Sequence, residues 1–321
     1  MKTRRDFLGT GAALAAAAGP LAHASTAAPA APEAAPQVGA ARAFWPNGAR
    51  LAVSISMQFE AGGEPDEGFD SPFSGSPLPK GVPDLPARTW FAYGYKEGIP
   101  RLLDLWDRHK VKVTSHMVGG AVVRNPKLAR EIVERGHEAA AHGMTWESQY
   151  ALPRDQEKAF VAAGVEAVRA ATGQTPVGYN CNWLRRGVNT LSVLQELGFL
   201  YHIDDVSRDE PFLIDVDGRP FVVVPYTLRC NDILLIEGRH FSTADFAQQL
   251  KDEFDQLHAE SARKRRMMSI STHDRIGGTP QMVRVLDEFL AYAAKHEGVW
   301  FARKDEVARW AKQSPDTIRE G

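Results

Sequence analysis

The chain has 321 residues, with 38 Lys and Arg against 40 Asp and Glu, for a formal net charge of −2. That balance is too mild to recruit a nucleic acid or an anionic membrane surface as a partner. Cysteine is scarce, with only Cys181 and Cys230.

The first element is a targeting signal. Arg4-Arg5 stand just before Phe7-Leu8, an apolar Ala/Gly-rich run extends to Leu21, and Ala22-His23-Ala24 has the small-x-small spacing of a cleavage site. The run is too short to span a bilayer of about 30 Å, so no stable membrane anchor is expected. Residues 1–24 therefore read as a cleaved twin-arginine signal, which places the protein in the periplasm or outside the cell. Its removal takes away a net +2 (Lys2, Arg4, Arg5, Asp6) and leaves the mature chain at −4. Residues 25–41 are Ala/Pro-rich and read as a flexible leader. The catalytic domain is expected over residues 42–312, with a tail at 313–321. Export would permit a disulfide, but two cysteines without framework spacing read as buried free thiols.

Strands and helices then alternate. Residues 52–59 read as a strand by their apolar alternation. Residues 60–96 are dense in Gly, Pro and acids and read as one long functional loop, with Phe69, Phe73 and Trp90 as an aromatic wall. Helices are expected at 99–109, 126–135, 154–171, 190–197, 243–259, 280–295 and 304–312. Strands are expected at 111–117, 137–141, 177–180, 199–203, 221–226, 267–271 and 299–302. Gly136 and Gly198 stop two of the helices, and Ser242 or Thr243 caps a third. No Gly-rich phosphate loop opens any helix, which disfavours a nucleotide-binding doubly wound sheet. The count fits an α/β fold closed into a distorted (β/α) barrel of seven or eight strands.

In such a barrel, chemistry collects at the C-terminal strand ends. Those ends carry Gln58 and Glu60, then His142 and Trp146, then Tyr179, Asn182 and Arg185-Arg186, then Tyr226 with Asn231-Asp232, and finally His273-Asp274-Arg275. Each alone has an ordinary explanation. Glu60 would serve as a solvated loop acid, His142 as a hydrogen-bonded core histidine, and His273-Asp274 as a capping pair. Polar side chains at four or more strand ends on one rim are harder to dismiss.

GHEAAAHGMTW (136–146), TGQTPVGY (172–179) and SISTHDR (269–275) together resemble the polysaccharide deacetylase superfamily, with its NodB-type barrel. MQFEAGGE (57–64), VVPYTLRCND (223–232) and THDRIGG (272–278) resemble the branch holding peptidoglycan deacetylases, PuuE-type allantoinases and cyclic imide hydrolases. The resemblance implies an acid metal ligand at Glu60 and a catalytic base position at Gln58, which cannot take a proton. It implies a His-x-x-x-His metal pair at His142 and Trp146, a general acid at His273, and a base-orienting arginine near Arg185-Arg186. Indole donates only its N–H, so Trp146 is no ligand. A catalytic zinc or other divalent metal would then need His116, Asp232 or His273 to complete three protein ligands. The resemblance favours a metal-independent site. There Glu60 is the general base, its pKa raised by a semi-apolar mouth, and Asp274 or a backbone group fixes the tautomer of His273. Arg275 and Asn182 are expected to hold the oxyanion. Gln58, Trp146, Tyr179, Asn182, Arg185, Tyr226 and Asn231 are expected to contact substrate.

These expectations define a hydrolase of non-peptide carbon–nitrogen bonds, with an N-acetylated glycan ranked first because export points to the cell envelope. A small cyclic amide, an imide or ureide, is the alternative. A catalytically silent glycan-binding protein is the reading of another class. The resemblance also implies a homo-oligomer, a tetramer.

Overall fold

The computed structural model describes residues 43–65, 71–73, 75–76, 78–79 and 81–320. The expected signal (1–24), the leader (25–41) and Phe69 lie outside the described residues. Among the described residues no helix is long and apolar enough to cross a membrane.

The chain runs β1 (Leu51–Phe59), α1 (Leu85–Tyr93), α2 (Ile99–His109), β2 (Thr114–Met117), α3 (Gly119–Arg124), α4 (Pro126–Glu134) and β3 (Glu138–Ala141). It continues with α5 (Arg154–Thr172), β4 (Gly178–Tyr179), α6 (Thr190–Glu196), β5 (Tyr201–His202), β6 (Phe212–Val216), β7 (Arg219–Val223) and α7 (Thr243–Glu260). It ends with β8 (Arg266–His273), α8 (Asp274–Gly277), α9 (Pro280–Ala293), β9 (Val299–Phe301), α10 (Lys304–Gln313) and β10 (Ile318–Glu320).

Neighbouring strands follow the order β7-β5-β4-β3-β2-β1-β8, all parallel. β8 lies along one edge of β1, while β9 and β2 share the other edge, at residues 51–53 and 56–59 respectively. The segment after β7 links the two ends of the series. There the Tyr226 hydroxyl bonds Ser271, Asn231 forms a bridge to Ser271, and the Ser271 N–H donates to the Cys230 carbonyl at 2.9 Å. The result is an α/β fold of the distorted-barrel type.

Alternation along β1 explains both of its faces, since successive side chains of a strand point to opposite sides. Leu51, Val53, Ile55, Met57 and Phe59 pack among the helices around Trp106, Leu286 and Phe289. Ser54, Ser56 and Gln58 turn into the barrel, where they meet Lys304, His116 and Tyr226 respectively. Every residue of β1 is buried.

The structure departs from the sequence reading in four places. The long loop contains α1, whose start is capped by Asp84 accepting from the Ala87 N–H at 3.0 Å, with Pro86 in the first turn. The Gly and Pro density around it masks this helix. The short α3 opens on two glycines and is likewise hidden. β6 and β7 form an antiparallel hairpin on an Asp217-Gly218 turn, both residues with positive φ (51° and 73°). The Asp-Gly pair was a readable signal, and the strand it opens ends at Val223 rather than Tyr226. The expected tail contains β10, which pairs with β6. Cys181 and Cys230 are both free and buried, as expected.

Glycine decides one contact that bears on the site. A Cβ on Gly98 would lie 1.9 Å from the carbonyl oxygen of Asp274, so only hydrogen lets the turn before α2 pack onto α8.

Candidate active site

Glu60 follows β1, His142 follows β3, Asn180 follows β4, and His273 ends β8, so their side chains meet at the C-terminal rim of the barrel. Gln58 and His273 are register partners on neighbouring strands. With Trp146, Trp183, Tyr226, Leu228, Asn231 and Leu234 they line a cavity of about 100 Å³.

The centre is a cluster of three facing groups. Glu60 Oε1 lies 3.4 Å from His142 Nε2 and 3.8 Å from His273 Nε2. His142 Nδ1 faces the Asn180 carbonyl at 2.8 Å, so this nitrogen carries the proton and Nε2 is the free acceptor of the neutral ring. His273 Nδ1 donates to Asp232 Oδ1 at 2.5 Å, and the His273 N–H donates to Asp232 Oδ2 at 2.7 Å. One carboxylate thus fixes both the tautomer and the rotamer of His273.

Arg275 closes the cluster from behind. Its Nη1 donates to Glu60 Oε2 at 2.7 Å and to Asp274 Oδ1 at 3.2 Å. The guanidinium lies 4.7 Å from the ring centres of Trp90 and Phe91 and 5.2 Å from that of Trp146. Asp274 accepts from the backbone N–H groups of Glu60, Ala61 and Arg275 at 3.0, 2.8 and 2.7 Å, which pins the turn after β1 to α8.

The electrostatics follow from these contacts. Burial pushes the Glu60 carboxyl up, but Arg275 and then His273 outweigh it and hold the group well below the usual carboxylate range. Glu60 is therefore a permanent anion, not the raised-pKa base expected from the sequence. Asp274 meets the same guanidinium, yet burial dominates and pushes it up to about 6. Burial disfavours the His273 imidazolium, but the Asp232 and Glu60 charges more than offset it, so its pKa is raised from 6.5.

Several expected residues sit elsewhere. Asp232, expected only as a spare metal ligand, orients His273, and Asp274 does not. Arg275 is buried, its Nη1 donates to two carboxylates, and it does not line the cavity. The arginine that meets the acid is Arg275, not Arg185 or Arg186, which line a separate open groove with Tyr150 and Val188. Asn182 Oδ1 accepts from the Ser148 hydroxyl at 3.3 Å, outside the cavity lining. Tyr179 is buried under the rim and donates to Gln149 at 2.6 Å. His116 pairs with Ser56 at 3.3 Å and does not line the cavity. The Trp90 ring lies over the Arg275 guanidinium and does not line the cavity. Sequence reading missed Asn180, which had no motif around it beyond the end of β4.

A catalytic metal fits this donor set poorly. Glu60 and His142 are two donors, the third position is the indole of Trp146, and Oε2 of Glu60 already meets a guanidinium. Among the described residues no cluster of three or more His, Cys, Asp or Glu is arranged to hold a metal ion.

The fold is an α/β barrel of the distorted type, and its rim gathers Glu60, His142 and His273 in one cavity. Residues 87–202 match the family model described as "Polysaccharide deacetylase". The chain is similar to the crystal structure of a probable polysaccharide deacetylase from Pseudomonas aeruginosa PAO1, 34% identical, covering 85% of this chain and 95% of that one, with a TM-score of 0.78. It is similar to the crystal structure of PuuE allantoinase, 32% identical, covering 86% and 95%, with a TM-score of 0.79. It is also 26% identical to the peptidoglycan deacetylase of Helicobacter pylori over 66% of this chain and 82% of that one. The chain belongs to the polysaccharide deacetylase family, hydrolases of carbon–nitrogen bonds other than peptide bonds.

Proposed function

We propose that this protein hydrolyses the ring C–N bond of a small cyclic amide, an imide or ureide, without a metal. The observation that carries the reading is that Glu60 meets Arg275 from behind and faces a cavity of only about 100 Å³. A polymer bound for metal-assisted deacetylation needs a long groove and a third ligand, whereas a small ring suits a small, aromatic-walled pocket.

In this mechanism a water donates to Glu60 Oε1 and His142 Nε2, two acceptors 3.4 Å apart that need a proton between them. As its oxygen attacks the carbonyl carbon, its proton passes to His142 Nε2, and the Glu60 anion stabilises the imidazolium so formed. Protonated His273 first faces the oxyanion, then gives its Nε2 proton to the leaving nitrogen as the C–N bond breaks. The ring opens to a carboxylic acid and an amine or amide. Glu60 here is a fixed charge and His142 the base, whereas the sequence expectation gave the base role to Glu60.

The likeness to PuuE allantoinase supports this reading. Glycan N-deacetylation is the second reading, favoured by the name of the Helicobacter pylori relative and by the export signal expected at residues 1–24. The test measures release of product from succinimide, dihydrouracil and allantoin, and from acetylated chitooligosaccharides, before and after chelation. Turnover of a cyclic amide that survives chelation and is lost in Glu60→Gln and His273→Ala is expected. Chelator-sensitive turnover of the oligosaccharides alone would overturn the proposal. Binding of glycan with no turnover of any amide would instead leave the silent glycan-binding reading.

A further inference from the structure

The Gln58 side chain is 1% exposed and lines the cavity, and its Oε1 has no hydrogen-bond partner among the described residues. Which end of this amide is the oxygen follows from its neighbours. The Asp204 carboxylate accepts from Asn180 Nδ2 at 2.8 Å, which leaves Asn180 Oδ1 as an acceptor. Asn180 Oδ1 in turn takes Gln58 Nε2 at 3.3 Å, and the Tyr226 hydroxyl takes the same nitrogen at 2.9 Å. Both N–H donors of Gln58 are thus committed, and a bare carbonyl oxygen is left over. A buried acceptor without a donor is costly, by roughly 1–3 kcal/mol, so a ligand N–H is its natural complement.

The register says which N–H. Gln58 on β1 and His273 on β8 are direct partners, and neighbouring strands lie about 4.8 Å apart. Both side chains can therefore address one ligand atom from two sides. We infer that Gln58 Oε1 accepts the N–H of the leaving nitrogen, turning that nitrogen's lone pair toward His273 Nε2. Gln58 takes a hydrogen bond and no proton, while the proton that leaves with the nitrogen comes from His273. The site then demands an unsubstituted amide nitrogen, and Asp204 and Asn180 are positioning residues that keep the Gln58 amide from turning over. This inference rests on the cyclic-amide reading.

The experiment compares kcat/KM for succinimide, N-methylsuccinimide and 2-methylsuccinimide on the wild type, Gln58→Met and Gln58→Glu. A site built around one donor rejects the analogue lacking it by about 10²-fold or more. The N-methyl compound is expected to fall by that factor, while the C-methyl isomer, equal in bulk but keeping its N–H, stays within about 10-fold. Gln58→Met is expected to collapse the discrimination, and Gln58→Glu, which keeps an acceptor there, to preserve it. Equal turnover of succinimide and N-methylsuccinimide by the wild type overturns the inference without any variant, as does discrimination that survives Gln58→Met. If the wild type instead turns over only acetylated oligosaccharides, the cyclic-amide reading falls, and Gln58 is judged on N-acetyl against O-acetyl substrates. Loss of preference for the N-acetyl compound in Gln58→Met upholds the acceptor there, and an unchanged preference overturns it. Turnover of neither class overturns both.

Discussion

Asp232 holds His273 twice, through Nδ1 at 2.5 Å and through the backbone N–H at 2.7 Å. Its charge is also the strongest influence raising the His273 pKa against burial. Asp232→Asn keeps the size of the side chain and removes that charge. The proton donor should then be lost at lower pH, so the alkaline limb of kcat/KM, expected above pH 6.5 in the wild type, moves down. The rate at neutral pH should drop by about 10²–10⁴. A pH–rate profile of the two proteins checks this, and an unmoved limb would remove His273 as the acid.

Arg275 is the counter-charge of a buried carboxylate, meeting Glu60 Oε2 at 2.7 Å. Arg275→Met should destabilise the fold by about 3–5 kcal/mol at neutral pH, because it strands a buried anion. The sign with pH follows from Glu60, whose folded pKa is depressed below 4.5. The stabilisation it provides is present above 4.5 and lost as pH falls through the folded value. The penalty of Arg275→Met should therefore shrink in acid, and Glu60→Gln in the same chain should recover part of it. Denaturant titrations at several pH values measure both.

Activity should be indifferent to chelation, since the donor set at the rim supplies two ligands and an indole. Dialysis against a chelator followed by metal analysis and assay tests this directly. A loss of activity restored by zinc would contradict the acid–base mechanism.

Gly98→Ala should destabilise the protein by about 1–3 kcal/mol or more. The added methyl meets the Asp274 carbonyl oxygen at 1.9 Å, and pushing α8 away moves Arg275 off Glu60. Activity should fall together with stability, whereas Gly173→Ala, whose Cβ meets nothing within 4 Å, should cost only the strain of its positive φ.

Much of the site was legible in the linear sequence because strand ends are legible. Gln58, Glu60, His142, Trp146, Tyr226, Asn231 and His273 follow or finish apolar runs whose alternation is plain, and all line the cavity. The hidden elements were α1 and α3, whose Gly and Pro residues read as loop, and the β6–β7 hairpin, whose Asp-Gly turn was passed over. Residue partnerships were the other gap. Asp232 stands 41 positions from His273 and Arg275 stands 215 from Glu60, and nothing local links them.

What the sequence alone determined was the alternating α/β order and the residues at the rim, together with two expectations, a lost metal ligand at Trp146 and export, the latter resting on residues outside the described structure. The tertiary structure decided who neutralises whom. Glu60 is held as an anion because the buried Arg275 meets it, and the His273 pKa is raised because Asp232 meets its Nδ1. A side chain's charge state is set by the groups within a few ångströms of it, and only the closed barrel brings those groups together.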